Sequence, residues 1–141
     1  MKRIVARLRG RWAEVEIELR ADAGFAVPAL YDYCEREDIT YTVGLITNNR
    51  LHEDLAEELL EEARERHEGE GEKVRLFSED LYRAGSWEHE RRVIYKAEAM
   101  EQGTNTRFLV STRTDGPKDL YEFYARRGES ENWIKDFTSC T

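Results

Sequence analysis

The chain has 141 residues, enough for one domain with a real core, and its 40% hydrophobic content sets its 37% charged content within the globular range rather than the disordered one. A net charge of −8 argues against a stand-alone nucleic-acid module, which is usually basic. No apolar run approaches the roughly 20 residues of a membrane span, and Met1-Lys2-Arg3 is not followed by the apolar stretch of a signal peptide. The two cysteines, Cys34 and Cys140, lie far apart. They read as free thiols in a reducing, cytoplasmic setting. A zinc site is not expected, because there is no paired CxxC and His52, His67 and His89 lack ligand spacing.

In chain order, Ile4 to Trp12 reads as the end of an amphipathic helix, with Ile4, Leu8 and Trp12 on one stripe. Val15 to Leu19 alternates strictly and predicts a strand. Asp22-Ala23-Gly24-Phe25 breaks it into a loop, and Pro28 suits the first turn of a helix running to about Arg36. The apolar face of that helix would be Leu30, Tyr31 and Cys34. Ile39 to Ile46, rich in β-branched and aromatic residues, predicts a second strand, and Asn48-Asn49 signals a turn. Leu51 to His67 carries the clearest helical stripe: Leu51, Leu55, Leu59, Leu60 and Ala63. Ten acidic residues fall between Glu53 and Glu72, against Arg64 and Arg66, as on a solvated helix face. Gly69 and Gly71 then end the helix.

Three strand-like runs follow, Lys73–Ser78, Arg91–Ala97 and Phe108–Thr112. Asp115-Gly116-Pro117 is a turn, and Lys118 to Phe137 is helical by pattern with a weak point at Gly128. The order implies a single mixed α/β or α+β domain over 1–141, in which the strand block 73–114 looks like a β-rich insertion into an α/β frame.

Three features bear on chemistry. Asp22 sits just past the C-terminal end of a predicted strand, where open α/β sheets put functional groups, and Gly24 relieves crowding beside it. Capping a turn is the other reading of that aspartate. On the last helix, Tyr124, Arg127, Glu131 and Lys135 fall on one face. That stripe is suited to a metal through Glu131 and phosphates through Arg127 and Lys135, or to ordinary surface ion pairs. Trp87, in the loop Gly85-Ser86-Trp87, is either an exposed platform for a nucleotide flipped out of DNA or part of the core.

The stretch Arg20-Ala-Asp22-Ala-Gly24-Phe25 resembles the motif around the second aspartate of insertion-sequence DDE transposases, group 1. Tyr124-x-x-Arg127-x-x-x-Glu131 resembles the signature around their glutamate, and the tracts Glu72–Phe77 and Arg92–Glu98 are also similar to that group. The resemblance covers nearly the whole chain. It implies a ribonuclease-H-like fold, here partial, with the strand-rich insertion between the last core strand and the C-terminal helix. It further implies three carboxylates holding two divalent cations, Mg²⁺ or Mn²⁺, that cleave and join DNA at transposon ends. Carried over, Asp22 is the second carboxylate and Glu131 the third, both catalytic and metal-binding. The two carboxylates are then expected within about 8 Å of each other. Tyr124 and Arg127 would contact the DNA backbone or position Glu131, and Lys135, also DNA-binding, could partly stand in for the signature lysine.

Two departures stand out. No aspartate precedes Asp22, whose upstream acids are Glu14, Glu16 and Glu18, and the signature lysine position is Thr138. The reading is therefore a DDE catalytic-domain fragment, inactive alone, whose partners are transposon-end DNA and either the missing N-terminal part or a second copy, with no membrane. The alternative is a non-catalytic remnant or an acidic α+β binding protein that self-associates through an open sheet edge.

Overall fold

The computed structural model describes residues 17–126. The expected helix over Ile4–Trp12 lies outside them, as do Arg127, Gly128, Glu131, Lys135, Thr138 and Cys140.

Within the described residues the chain forms one five-stranded mixed sheet with helices on both faces. β1 (Glu18–Ala21) leads through a 3-10 turn (Ala23–Phe25) into α1 (Pro28–Arg36), and the chain returns as β2 (Thr40–Leu45), parallel to β1. α2 (Asn49–Leu51) then runs through a π-helical turn (His52–Ala56) into α3 (Glu57–Glu70). β3 (Val74–Tyr82), β4 (Arg91–Met100) and β5 (Gly103–Ser111) form an antiparallel meander, and α4 (Pro117–Ala125) follows. The strand order is β1-β2-β5-β4-β3. β5 pairs with β2 in antiparallel register, Val110 against Val43 and Leu109 against Gly44. The last strand of the meander thus joins the frame, so one ladder of hydrogen bonds runs through both halves.

Alternation sorts the side chains between the two faces. Leu19 and Ala21 of β1, Tyr41 and Val43 of β2, Phe108 and Val110 of β5, and Val93 and Tyr95 of β4 are buried together with Tyr31 and Cys34 of α1. Each large apolar side chain removed from water in this way contributes about 1.5–3 kcal/mol. α3 presses Leu60 and Ala63 onto Val74, Ala97 and Ala99. On the opposite face Leu120 of α4 seats on Ile94 and Leu109, beside Tyr121 and Tyr124.

The element ends have local causes. Pro28 opens α1, where its missing N–H costs nothing. Asn48 caps α2, its Oδ1 accepting from Leu51 N at 2.9 Å. Gly71, at φ 73°, closes α3 in the left-handed conformation that glycine adopts freely, whereas Gly69 lies inside the helix. The Cys34 thiol is buried, and burial, reinforced by Glu35, pushes its pKa up to about 12. It is a packing group rather than a nucleophile.

Candidate functional site

Asp22 stands exposed at the carboxyl end of β1. It is the N-cap of the 3-10 turn, and one carboxylate oxygen accepts from Gly24 N at 2.9 Å. The turn-capping role is therefore real, and it leaves the second oxygen uncommitted to that bond. A side chain at residue 24 would crowd the carboxylate, since an added Cβ lies 3.1 Å from Asp22 Oδ1. Glu18 and Arg20 share Asp22's parity on the strand and face the α4 side, whereas Leu19 and Ala21 are buried beneath α1.

α4 comes to this end of the sheet from the other half of the chain. Phe123 is held between two guanidinium groups, Arg20 at 4.6 Å and Arg113 at 3.8 Å from its ring centre. Arg20 also donates to the Phe123 carbonyl at 3.3 Å. Arg113 is itself fixed by Glu18 and by Asp115, the latter at 2.8 Å. One residue further along, the Tyr124 hydroxyl lies over Gly44 of β2. A Cβ built on Gly44 meets Tyr124 Oη at 2.5 Å and Ala23 N at 3.5 Å. Tyr124 thus reaches the backbone next to Asp22. The β1–β2 register, Ala21 opposite Val43, continues one step to set Asp22 beside Gly44.

Of the residues that the sequence singles out, Tyr124 reaches Gly44, next to the turn that Asp22 caps. Arg127, Glu131 and Lys135 fall outside the described residues. Trp87 does not fit the exposed stacking platform: it is 5% exposed and packs edge-on against Tyr31 and Tyr82, at 5.8 Å and 6.0 Å. The loop carrying it folds back over α1, because burying a tryptophan there removes a large apolar surface from water. Its ring has no free face to offer a base. Among the described residues no group of three or more His, Cys, Asp and Glu side chains is arranged to hold a metal ion, and no helix is long and apolar enough to cross a membrane.

Sequence reasoning misses a second polar centre. Arg91, 3% exposed in its side chain, donates to Glu35 Oε2 and Asp32 Oδ1 at 2.8 Å each, and to Glu35 Oε1 at 3.0 Å. Tyr31 and Trp87 flank it at 5.2 and 5.4 Å. Burial acts to raise the Glu35 pKa, but hydrogen bonds from Arg91 and Tyr41 prevail and lower it. The i, i+3 spacing of Asp32 and Glu35 on α1 is the one sequence signal for this clasp. It stands at the amino end of β4, and its pairing marks it as structural bracing.

The family model for the transposase DDE domain, group 1, matches the chain over residues 1–141. No curated protein and no solved structure matches it.

Proposed function

Because the chain belongs to the transposase DDE domain group 1 family, we propose that it is part of a catalytic domain that cleaves and transfers DNA strands at insertion-sequence ends, in a ribonuclease-H-like frame. The observation that carries this reading is the seat of Tyr124 on Gly44, beside the turn that Asp22 caps. The first residue of the glutamate signature and the aspartate motif come from opposite ends of the chain and meet at the carboxyl end of β1.

In this reading Asp22 and Glu131 are the carboxylates that hold Mg²⁺ or Mn²⁺, while Tyr124, Arg127 and Lys135 contact the backbone of transposon-end DNA. Asp22 suits metal binding because it is an exposed oxygen donor, the ligand type that hard divalent cations select, and because the Gly24 N–H fixes its orientation. When bound, such ions activate an attacking oxygen and stabilise the leaving oxygen of a phosphodiester. The protein's own part is to aim the carboxylates, to hold the phosphate with the Arg127 and Lys135 cations, and to keep the last helix against the sheet through Leu120, Phe123 and Tyr124.

The family's first carboxylate, an aspartate from a strand preceding the Asp22 strand, has no counterpart between Met1 and Arg20. We therefore expect a polypeptide of these 141 residues to be inactive alone, and to need a polypeptide or second copy that supplies the aspartate. Cleavage of DNA carrying the cognate inverted repeats, with Mg²⁺ or Mn²⁺, tests both points. Activity on adding the aspartate-bearing piece, lost in Glu131→Ala, is the expected result. Metal-dependent cleavage by the 141 residues alone, lost in Glu131→Ala, overturns the inactivity. Failure of every combination to cut favours the non-catalytic reading, a remnant that self-associates.

A further inference from the structure

On the sheet face that carries α4, three cations gather round one carboxylate and a fourth stands beside them. The Glu98 side chain is 5% exposed, and its oxygens lie 2.7 Å from Lys96 Nζ, 3.1 Å from Lys73 Nζ and 3.1 Å from Arg75 Nε. Arg107 stands directly across from Lys96 in the β4–β5 ladder, and directly paired residues share a face. Arg107 is exposed and makes no ion pair with any described residue. Three positive charges thus answer to one negative charge, with Arg107 beside them, in a chain whose net charge is −8.

The surroundings keep that imbalance. Arg107 also lines an open groove of about 500 Å³ with His52, Arg64, Asn49 and Thr104, and no carboxylate forms its wall. Arg64 alone of these is ion-paired, to the exposed Glu61 at 3.2 Å. Five carboxylates of the long helical stretch, Glu53, Asp54, Glu57, Glu58 and Glu62, instead line a separate groove with Asp80.

The patch also lies close to Asp22. Leu109, two residues beyond Arg107, pairs with Gly44, which adjoins Asp22. Two strand spacings separate β5 from β1, about 10 Å, and two residues along a strand add about 7 Å. Arg107 is thus on the order of 12 Å from the carboxyl end of β1.

We propose that Arg107, Arg75, Lys73 and Lys96 form a phosphate-binding patch that holds the DNA backbone alongside Asp22, with Glu98 as the buried group that positions three of the four cations. The inference rests on the DNA reading above. A network serving only to brace β3, β4 and β5 accounts for the Lys96–Glu98 pair, but not for an arginine without an ion pair in a groove free of carboxylates. Arg75 gives only its Nε to Glu98, so its terminal N–H groups stay available for the forked contact that guanidinium makes with phosphate.

The test is fluorescence anisotropy of the full chain with a labelled DNA duplex, read across a series of salt concentrations. Each lost phosphate contact lowers the slope of log affinity against log salt by about 0.9. The Arg75→Ala/Arg107→Ala variant should therefore lose about 2 from that slope, and should bind duplexes of different sequence with equally reduced affinity. Arg66→Ala, which removes an exposed cation paired to Glu62 on α3, should leave the slope unchanged. Both mutated side chains of the double variant are exposed, and an unchanged thermal midpoint verifies its fold. In the wild-type chain, amide shifts on adding duplex should centre on Thr104–Arg107. Wild-type binding with the same slope in the double variant, or shifts elsewhere only, overturns the patch and leaves the DNA reading standing. No duplex binding by the wild-type chain overturns both.

Discussion

The hydroxyl of Tyr124 rests where a side chain at residue 44 would begin: an added Cβ on Gly44 meets Tyr124 Oη at 2.5 Å and its ring carbon Cζ at 3.3 Å. This contact joins the last helix to the parallel strands. Gly44→Ala should therefore cost about 1–3 kcal/mol by overpacking. In a Tyr124→Phe background the nearest atom retreats to the ring edge, and the cost should fall below about 1 kcal/mol. Urea denaturation of the wild type, the two single variants and the double variant gives the coupling directly. Equal costs in the two backgrounds would mean that the hydroxyl is not seated on residue 44.

A second prediction concerns Arg91. Its guanidinium is buried with Glu35 and Asp32 as anionic partners and two aromatic rings beside it. Removing Arg91 leaves Glu35, 26% exposed, without its main cation, while Asp32, 40% exposed, returns to water. Arg91→Ala should cost about 1–3 kcal/mol. Arg91→Lys keeps the charge but not the fork, and should fall between the wild type and the alanine variant. Chemical denaturation checks the order, and a loss under about 1 kcal/mol for Arg91→Ala would show an ion pair with no more weight than a surface one.

Much of the frame is legible in the sequence because it rests on local chemistry. Pro28 and the apolar positions after it predict α1 to Arg36, and the structure has Pro28–Arg36. The β-branched run of β2 and the turn at Asp115-Gly116-Pro117 are equally local signals, as is the place of Asp22 past the end of β1. Other features depend on what the chain meets elsewhere. Asn48 reads as a turn residue, yet the same short side chain caps a helix once Leu51 N is in reach. The π-helical turn at His52–Ala56 shifts the register after Leu51, so that Ala56 is buried while Leu55 and Leu59 stay half-buried. Glu79 and Asp80 interrupt the apolar pattern after Ser78, but pairing with β4 carries β3 on to Tyr82. Strand pattern does not say which edge a strand will join, so the union of β5 with β2 is invisible until the ladder is seen. The burial of Arg91 is hidden likewise, since Glu88-His89-Glu90-Arg91-Arg92 reads as a solvated run.

Acid should loosen the fold through Glu98. Burial acts to raise its pKa, but hydrogen bonds from Lys96 and Lys73 outweigh burial and hold the folded value at about 2. The unfolded value is about 4.3. A carboxylate lowered on folding contributes stability that is fully present above its unfolded pKa and is lost as pH falls toward the folded one. Glu35 and Asp115 are lowered too, by Arg91 with Tyr41 and by Arg113 respectively, and act in the same direction. Stability should therefore decline from about pH 5 toward about pH 2. Glu98→Gln should cost about 1–3 kcal/mol at neutral pH, because Lys96 loses its buried partner. The same variant should also flatten the acid decline. An acid limb identical to that of the wild type would exclude Glu98 as its source.

The pairing of Asp22 with Glu131 can be read without catalysis, by paramagnetic broadening of amide resonances on adding Mn²⁺. Two regions compete for the ion. The acidic flank from Glu53 to Glu62 offers many carboxylates, but they are spread along a helix surface, open to water and to screening by salt. Asp22 offers a single carboxylate with its orientation fixed by Gly24 N, and it becomes the stronger site only if a second anchored carboxylate joins it, since a hard cation needs several well-placed oxygens. If Glu131 is that partner, low Mn²⁺ should broaden the amides of Asp22–Phe25 and of Tyr124–Arg126 together. Asp22→Asn and Glu131→Gln should each weaken the broadening at both segments, whereas Glu57→Gln should leave it unchanged. Broadening confined to the acidic flank, and indifferent to Asp22→Asn, would remove the metal role from Asp22. Broadening at Asp22 that survives Glu131→Gln would remove it from Glu131 alone.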